Sequence, residues 1–260
     1  MKYFALHSFT NKLFSGNPAG VCLLESWPDD ATMQKIAREN NVSETAFLLQ
    51  RPDKAFDLRW FAPDVEVDLC GHATLAGAFV IFNFTDYADD TIDFYTKSGK
   101  LSAAKDGERV VLDFPAKQSR PVGITELMRQ AVGKEIKSAH LSDDLMLVLD
   151  DENAVRSAEP DLIIMNQFKD CRGIIITAKG EDHDFVSRFF APGLGITEDP
   201  VTGSAHSVLI PYWSNLLGKD ILVAEQVSQR GGVLYCQNCG ERVKFAGNAA
   251  LYLSGEINIT

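Results

Sequence analysis

The chain has 260 residues, 45% hydrophobic and 23% charged, which is the composition of a globular protein with a substantial core. Its formal charge of -11 and pI near 4.9 work against nucleic acid and anionic membrane surfaces as partners. No apolar run reaches the roughly 18 residues of a membrane helix, and residues 1–7 lack the apolar core and small-residue site of a signal peptide.

In chain order, Pro28-Asp29-Asp30 opens a helical stretch with Met33, Ile36 and Ala37 on one face and a stop at Asn40-Asn41. Proline suits a first helical position, where its missing N–H has no partner to lose. Residues 45–49 and 56–63 read as strands. Residues 73–84 are apolar nearly all round, the mark of a buried helix. A hairpin over 101–114 turns at Lys105-Asp106-Gly107. Beyond residues 115–121 the order recurs. Pro160-Asp161 opens a short helix, 173–177 is a β-branched strand, and 185–192 is another strand. Residues 204–217 form a helix that Pro211 is expected to kink or split. A second hairpin spans 233–245, and 251–259 alternates like a strand that returns to complete the first half.

Two landmarks show that this recurrence is a duplication. Phe56-Asp57-Leu58-Arg59-Trp60-Phe61-Ala62-Pro63 returns as Phe185-Val186-Ser187-Arg188-Phe189-Phe190-Ala191-Pro192, with five of eight positions identical. Gly99-Lys100-Leu101 followed by Gly107-Glu108-Arg109-Val110 returns as Gly232-Val233-Leu234 followed by Gly240-Glu241-Arg242-Val243. The expected fold is α+β, in two pseudo-symmetric halves. Each is a curved, mostly antiparallel sheet or barrel around one central helix. The boundaries are 1–116, completed by 248–260, and 117–247.

The loops before the two central helices hold the densest reactive groups. They are Glu66-Val67-Asp68-Leu69-Cys70-Gly71-His72 and Glu198-Asp199-Pro200-Val201-Thr202-Gly203-Ser204. A helix start leaves backbone N–H groups without intrahelical partners and carries partial positive charge, so a facing pair of such starts binds a carboxylate or an enolate-like oxygen. On spacing alone the glycines equally well ease tight turns, and Ser204 is equally a cap.

Four runs together resemble the PhzF-like family, relatives of a phenazine-biosynthesis isomerase. They are Gly16-Asn17-Pro18-Ala19-Gly20-Val21-Cys22, Ser43-Glu44-Thr45-Ala46-Phe47, Cys70-Gly71-His72-Ala73-Thr74 and Asp199-Pro200-Val201-Thr202-Gly203-Ser204-Ala205-His206, with Gln229-Arg230-Gly231-Gly232 behind them. The resemblance implies a diaminopimelate-epimerase-like fold closing on its ligand, with no metal or organic cofactor, and a homodimer; the odd, scattered cysteines point to a reducing cytoplasm. It implies that Glu44 moves a proton between substrate carbons, with His72 and Asp199 lining the same pocket. It also implies that Ser43, Gly71, Gly203 and Ser204 hold a small carboxylate substrate. A carboxyl group serves as both acid and base when burial or a neighbouring carboxylate brings its pKa toward neutral.

Two other readings compete. Cys70 stands where epimerase and racemase relatives of this fold carry a catalytic thiol, which keeps a Cys70-dependent epimerase or dehydratase open. The matching position in the second half is Thr202, so a two-thiol mechanism is not expected. A non-catalytic binding or scaffold protein would keep the pocket without the chemistry. The five cysteines are odd in number and mostly scattered, so no disulfide framework is expected. Cys236-Gln237-Asn238-Cys239 has metal-knuckle spacing but no second ligand pair, and zinc is not expected there. His7, His140, His183 and His206 are assigned to the surface or to capping.

Overall fold

The computed structural model describes residues 1–259. Packing divides the chain into two compact units, Met1–Phe114 with the segment from Phe245 onward, and Pro115–Lys244. The first contains β1 (Lys2–Ser8), β2 (Asn17–Leu24), α1 (Asp30–Asn40), β3 (Glu44–Gln50), β4 (Phe56–Phe61), β5 (Glu66–Val67), α2 (Gly71–Phe84), β6 (Thr91–Thr96), β7 (Gly99–Asp106) and β8 (Arg109–Pro115). The second contains β9 (Arg120–Val122), α3 (Glu126–Val132), β10 (Ile136–Leu141), β11 (Leu145–Leu149), α4 (Glu152–Arg156), α5 (Leu162–Met165), β12 (Ile174–Lys179), β13 (Phe185–Ala191), β14 (Ile196–Asp199), α6 (Gly203–Leu217), β15 (Ile221–Gln226) and β16 (Gly232–Asn238). The chain re-enters the first unit within β17 (Arg242–Gly247), and β18 (Ala249–Glu256) pairs antiparallel with β1.

The duplication extends to strand pairing. In the first unit β1–β2 is antiparallel, β2–β3 parallel, β3–β4 antiparallel, β4–β6 parallel and β6–β7 antiparallel. In the second, β10–β11, β11–β12, β12–β13, β13–β15 and β15–β16 follow the same series. Each unit also keeps the same ion pair. Arg59 grips Glu66 through Nε and Nη2 at 2.7 and 2.9 Å, and Arg188 grips Glu198 at 2.7 and 3.0 Å. Each guanidinium lies over the phenylalanine two residues on, Phe61 or Phe190. The repeated Arg-x-Phe of the sequence is therefore a repeated structural clamp.

Helix α2 is buried over Gly71–Ala78 and again at Val80 and Ile81. Its Leu75, Val80 and Ile81 are fully enclosed, each burial stabilising by about 1.5–3 kcal/mol. Gly77 lets the helix approach β3, since a Cβ there would stand 3.0 Å from Leu48 Cδ1.

Several local expectations are corrected. Pro28 and Pro160 sit one residue before the N-caps rather than inside the helices, because Asp29 and Asp161 take the capping role. Asp29 accepts from Thr32 N at 2.8 Å, and Asp161 from Ile163 N and Ile164 N. Helix α6 is not split at Pro211. Proline removes the bond to the carbonyl four residues back, that of Ser207, and here Lys117 N donates to that carbonyl instead at 2.9 Å. His7 and His206 are buried rather than on the surface.

Candidate active site

In the first unit, backbone geometry converges three reactive side chains. Gly16 has φ +67° and a Cβ there would lie 2.2 Å from Ser8 O, so only glycine fits the turn that delivers Asn17 to β2. Parallel pairing then sets Ala19 of β2 opposite Glu44 at the start of β3. Cys70 ends the loop as the N-cap of α2 without a side-chain oxygen cap, and His72 follows in the first turn. Ser8 Oγ donates to the His72 carbonyl at 2.7 Å and ties that turn to β1.

The Glu44 carboxylate Oε2 lies 3.0 Å from His72 Nε2, with 13% and 5% of the two side chains exposed. Oε2 is buried and receives no hydrogen bond of acceptable direction, so this contact is a close charge pairing with the ring N–H off line. Cys70 Sγ lies 3.5 Å from His72 Nδ1 and 3.9 Å from Nε2. Asn17 Nδ2 lies 3.1 Å from Nδ1, and Ser43 Oγ donates to Asn17 Oδ1 at 2.9 Å. With the amide held this way, a neutral His72 accepts at Nδ1 and carries its proton on Nε2, toward Glu44.

Burial pushes the Cys70 thiol up to about 11, helped by the neighbouring Glu44 charge. For His72 burial works against the charged ring, but Cys70 and Glu44 outweigh it and hold the pKa well above the ordinary histidine value. The Cys70 contribution requires a thiolate. At neutral pH Cys70 is a thiol, so of the two neighbours Glu44 is the one that then favours a charged ring. The charged ring needs an acceptor at Nδ1, which the Asn17 amide supplies by turning over, since the Ser43 hydroxyl can accept as well as donate.

The second unit holds a separate polar cluster. Thr202 is the N-cap of α6, yet its hydroxyl donates to Asp199 Oδ2 at 2.5 Å instead of capping, which leaves the helix start without a side-chain cap. Gln226, fully buried at the end of β15, accepts from Thr202 N at 2.8 Å and donates to Asp199 O at 2.7 Å. Ser204 Oγ accepts from Arg172 Nη1 at 3.0 Å, and Arg172 is itself held by Asp144 at 2.9 and 2.6 Å. This puts a fixed guanidinium beside the uncapped start of α6. Glu44, Cys70, His72, Ser43 and Gly71 thus gather in one unit, and Asp199, Gly203 and Ser204 in the other.

Sequence reasoning gave no role to Asn17, Arg172 or Gln226. Asn17 lay within a recognised motif, while Arg172 and Gln226 carried no local signal, their partners Asp144 and Thr202 being 28 and 24 residues away. Cys236 is buried in β16 and Cys239 is exposed in the following turn.

The family profile described as phenazine biosynthesis-like protein matches residues 6–255. The chain belongs to the PhzC-PhzF family. Two proteins of Pseudomonas aeruginosa, each named "Uncharacterized isomerase", are 46% and 47% identical to it, covering 98% and 100% of this chain and 98% and 99% of their own. A PhzF family crystal structure from Enterococcus faecalis superposes with a TM-score of 0.97 at 45% identity, covering 99% of both chains. A probable proline racemase from Agrobacterium radiobacter shares the fold alone, at 11% identity and a TM-score of 0.68. This PhzF-like protein is therefore an α+β enzyme of the isomerase class. No helix among its described residues is long and apolar enough to cross a membrane.

Proposed function

We propose that this isomerase moves a proton between carbons of a small carboxylate-bearing substrate, with Glu44 as the acid/base. One observation carries the reading: a carboxylate lies 3.0 Å from a buried imidazole whose other nitrogen meets the Asn17 amide. As a carboxylate, Glu44 takes the proton from the carbon that the substrate acidifies, and the electron pair spreads into the substrate as an enolate-like anion. Glu44, now the acid, returns the proton to a second carbon as the double bond moves. His72, 3.0 Å away, orients Glu44.

The candidate groups for the substrate carboxylate are the helix start at Gly71 in the first unit and, in the second, the helix start at Gly203 with Ser204, where Arg172 adds positive charge. Asp199, held by Thr202, and Ser43, bonded to Asn17, complete the set. Inversion at one carbon would need a proton donor on the opposite face. Cys70, with its thiol pushed up to about 11, does not supply the thiolate of a thiol-pair racemase, and Thr202 occupies the matching position, so double-bond movement is favoured over epimerisation. The enzyme is proposed to work without a cofactor, as a cytoplasmic homodimer, and light scattering tests the assembly.

The test is a panel of small carbon acids incubated with enzyme in heavy water and read by NMR. The reading expects deuterium at one carbon together with double-bond movement. Uptake with inversion would make the enzyme an epimerase, and no uptake across the panel would favour a binding protein.

A further inference from the structure

The Glu44, Cys70 and His72 side chains offer one ligand atom each, all within 4.8 Å of one another. Among the described residues this is the one cluster of three or more such groups close enough to hold a metal ion. We propose that this cluster captures a thiophilic divalent cation, Zn²⁺ above all, through Glu44 Oε2, Cys70 Sγ and His72 Nε2, and that capture switches the isomerase off. The inhibitory part rests on Glu44 being the acid/base; the binding part does not.

The Glu44–His72 pair is close to the spacing that zinc requires. Zinc–nitrogen, zinc–oxygen and zinc–sulfur bonds of about 2.0, 2.1 and 2.3 Å at tetrahedral angles put nitrogen about 3.4 Å from oxygen and about 3.5 Å from sulfur. Here His72 Nε2 is 3.0 Å from Glu44 Oε2 and 3.9 Å from Cys70 Sγ. The Cys70 thiol now lies nearer Nδ1, at 3.5 Å, so joining all three on one ion requires it to swing from the Nδ1 side of the ring toward Nε2. The misdirected contact between Nε2 and Oε2 fits the same picture. The carboxylate oxygen is buried with no hydrogen bond satisfied, and a cation between the two atoms would occupy both lone pairs.

Charge favours the same ion. A dication bound by one thiolate, one carboxylate and one neutral imidazole is a neutral unit, so enclosing it leaves no unpaired charge. Binding releases the thiol proton to solvent, and a charged His72 releases its Nε2 proton as well, so that metal–sulfur and metal–nitrogen bonds replace the S–H and N–H bonds. Thiolate and imidazole ligands select Zn²⁺ over Mg²⁺ and Ca²⁺. Coordination through Nε2 moves the ring proton to Nδ1. Asn17 is already 3.1 Å away, and with its amide turned over it would accept that proton as an outer-shell partner. Three protein ligands leave the fourth position for water. The Glu44 oxygen would then be committed to the metal and unable to take a proton from carbon.

The experiment uses the full chain with Co²⁺ as a spectroscopic probe and Zn²⁺ as competitor. Cobalt should bind one equivalent per chain, give a near-ultraviolet thiolate-to-cobalt band, and be displaced stoichiometrically by zinc. Cys70→Ala and Cys70→Ser should lose the band and weaken zinc binding by about 100-fold or more, and Asn17→Ala should weaken it by about 10- to 100-fold. Circular dichroism on each variant guards against misfolding. Cys239→Ser, which removes the exposed thiol, should bind as wild type. A band that persists in folded Cys70→Ala, or no stoichiometric binding to wild type, overturns the site. With a substrate from the heavy-water panel, zinc should stop exchange and a chelator should restore it. Exchange that continues with zinc bound overturns the inhibitory role while leaving the site intact. If no substrate is found, the cobalt spectrum still decides the site, and only the proposed isomerisation has failed.

Discussion

Acid should destabilise this protein through His206 by an amount the structure sets. The ring is fully buried in α6; Nδ1 lies 2.9 Å from Thr202 O, while Nε2 has no hydrogen-bond partner and the ring packs at 5.9 Å from that of Phe185. A second proton would put a charged donor into an apolar pocket, and burial pushes the His206 pKa down to about 4. In the unfolded chain it returns to about 6.5. The folded pKa is the lower one, so the unfolded state binds the proton first. Stability is full above about pH 6.5, falls as pH drops through the window from about 6.5 to about 4, and levels off below it. At about 1.36 kcal/mol per unit the loss is about 3 kcal/mol. Other groups titrate in the same range, so the assay compares urea unfolding of wild type and His206→Gln at pH 7 and pH 4. The glutamine can donate to Thr202 O but does not titrate. The stability difference between the two proteins should shift by about 3 kcal/mol in favour of the variant at the lower pH. A difference that stays constant across that interval would refute the reasoning.

Cys70→Ala should keep turnover within about tenfold of wild type, because the proton transfer is assigned to Glu44; a loss of about a thousandfold, roughly 4 kcal/mol of barrier, would move the chemistry to the thiol. Arg188→Met should cost about 3 kcal/mol in chemical denaturation and more than Arg59→Met. Besides Glu198, Arg188 Nη1 donates to the carbonyls of Val155 and Ala158, the second of which would be stranded, whereas the corresponding nitrogen of Arg59 meets the exposed Asp30. Equal costs would contradict this.

Much of the fold was legible because local pattern and tertiary demand coincide. The run after Gly71 is apolar on every face, and the structure buries it accordingly. The repeated Arg-x-Phe was visible in sequence, though its partners Glu66 and Glu198 were not assigned to it. The survival of α6 through Pro211 was illegible because the rescuing donor, Lys117, is 90 residues earlier in the chain. At the site, Glu44, Cys70 and His72 could be associated only through the family resemblance, since their convergence depends on parallel pairing of β2 with β3. Asn17 needed that same pairing. Periodicity therefore revealed elements, and the contacts that orient reactive groups came from topology.

The central claim is that Glu44 carries the proton and does not chiefly hold the substrate. Its most direct test pairs turnover with calorimetric binding for Glu44→Gln, on a substrate found by deuterium uptake. Glutamine keeps the size and polarity of the side chain but cannot take up and return a proton. Turnover should fall by about 10²- to 10⁴-fold while affinity stays near wild type. Turnover near the wild-type rate, or lost binding with the rate on bound substrate preserved, would contradict the account.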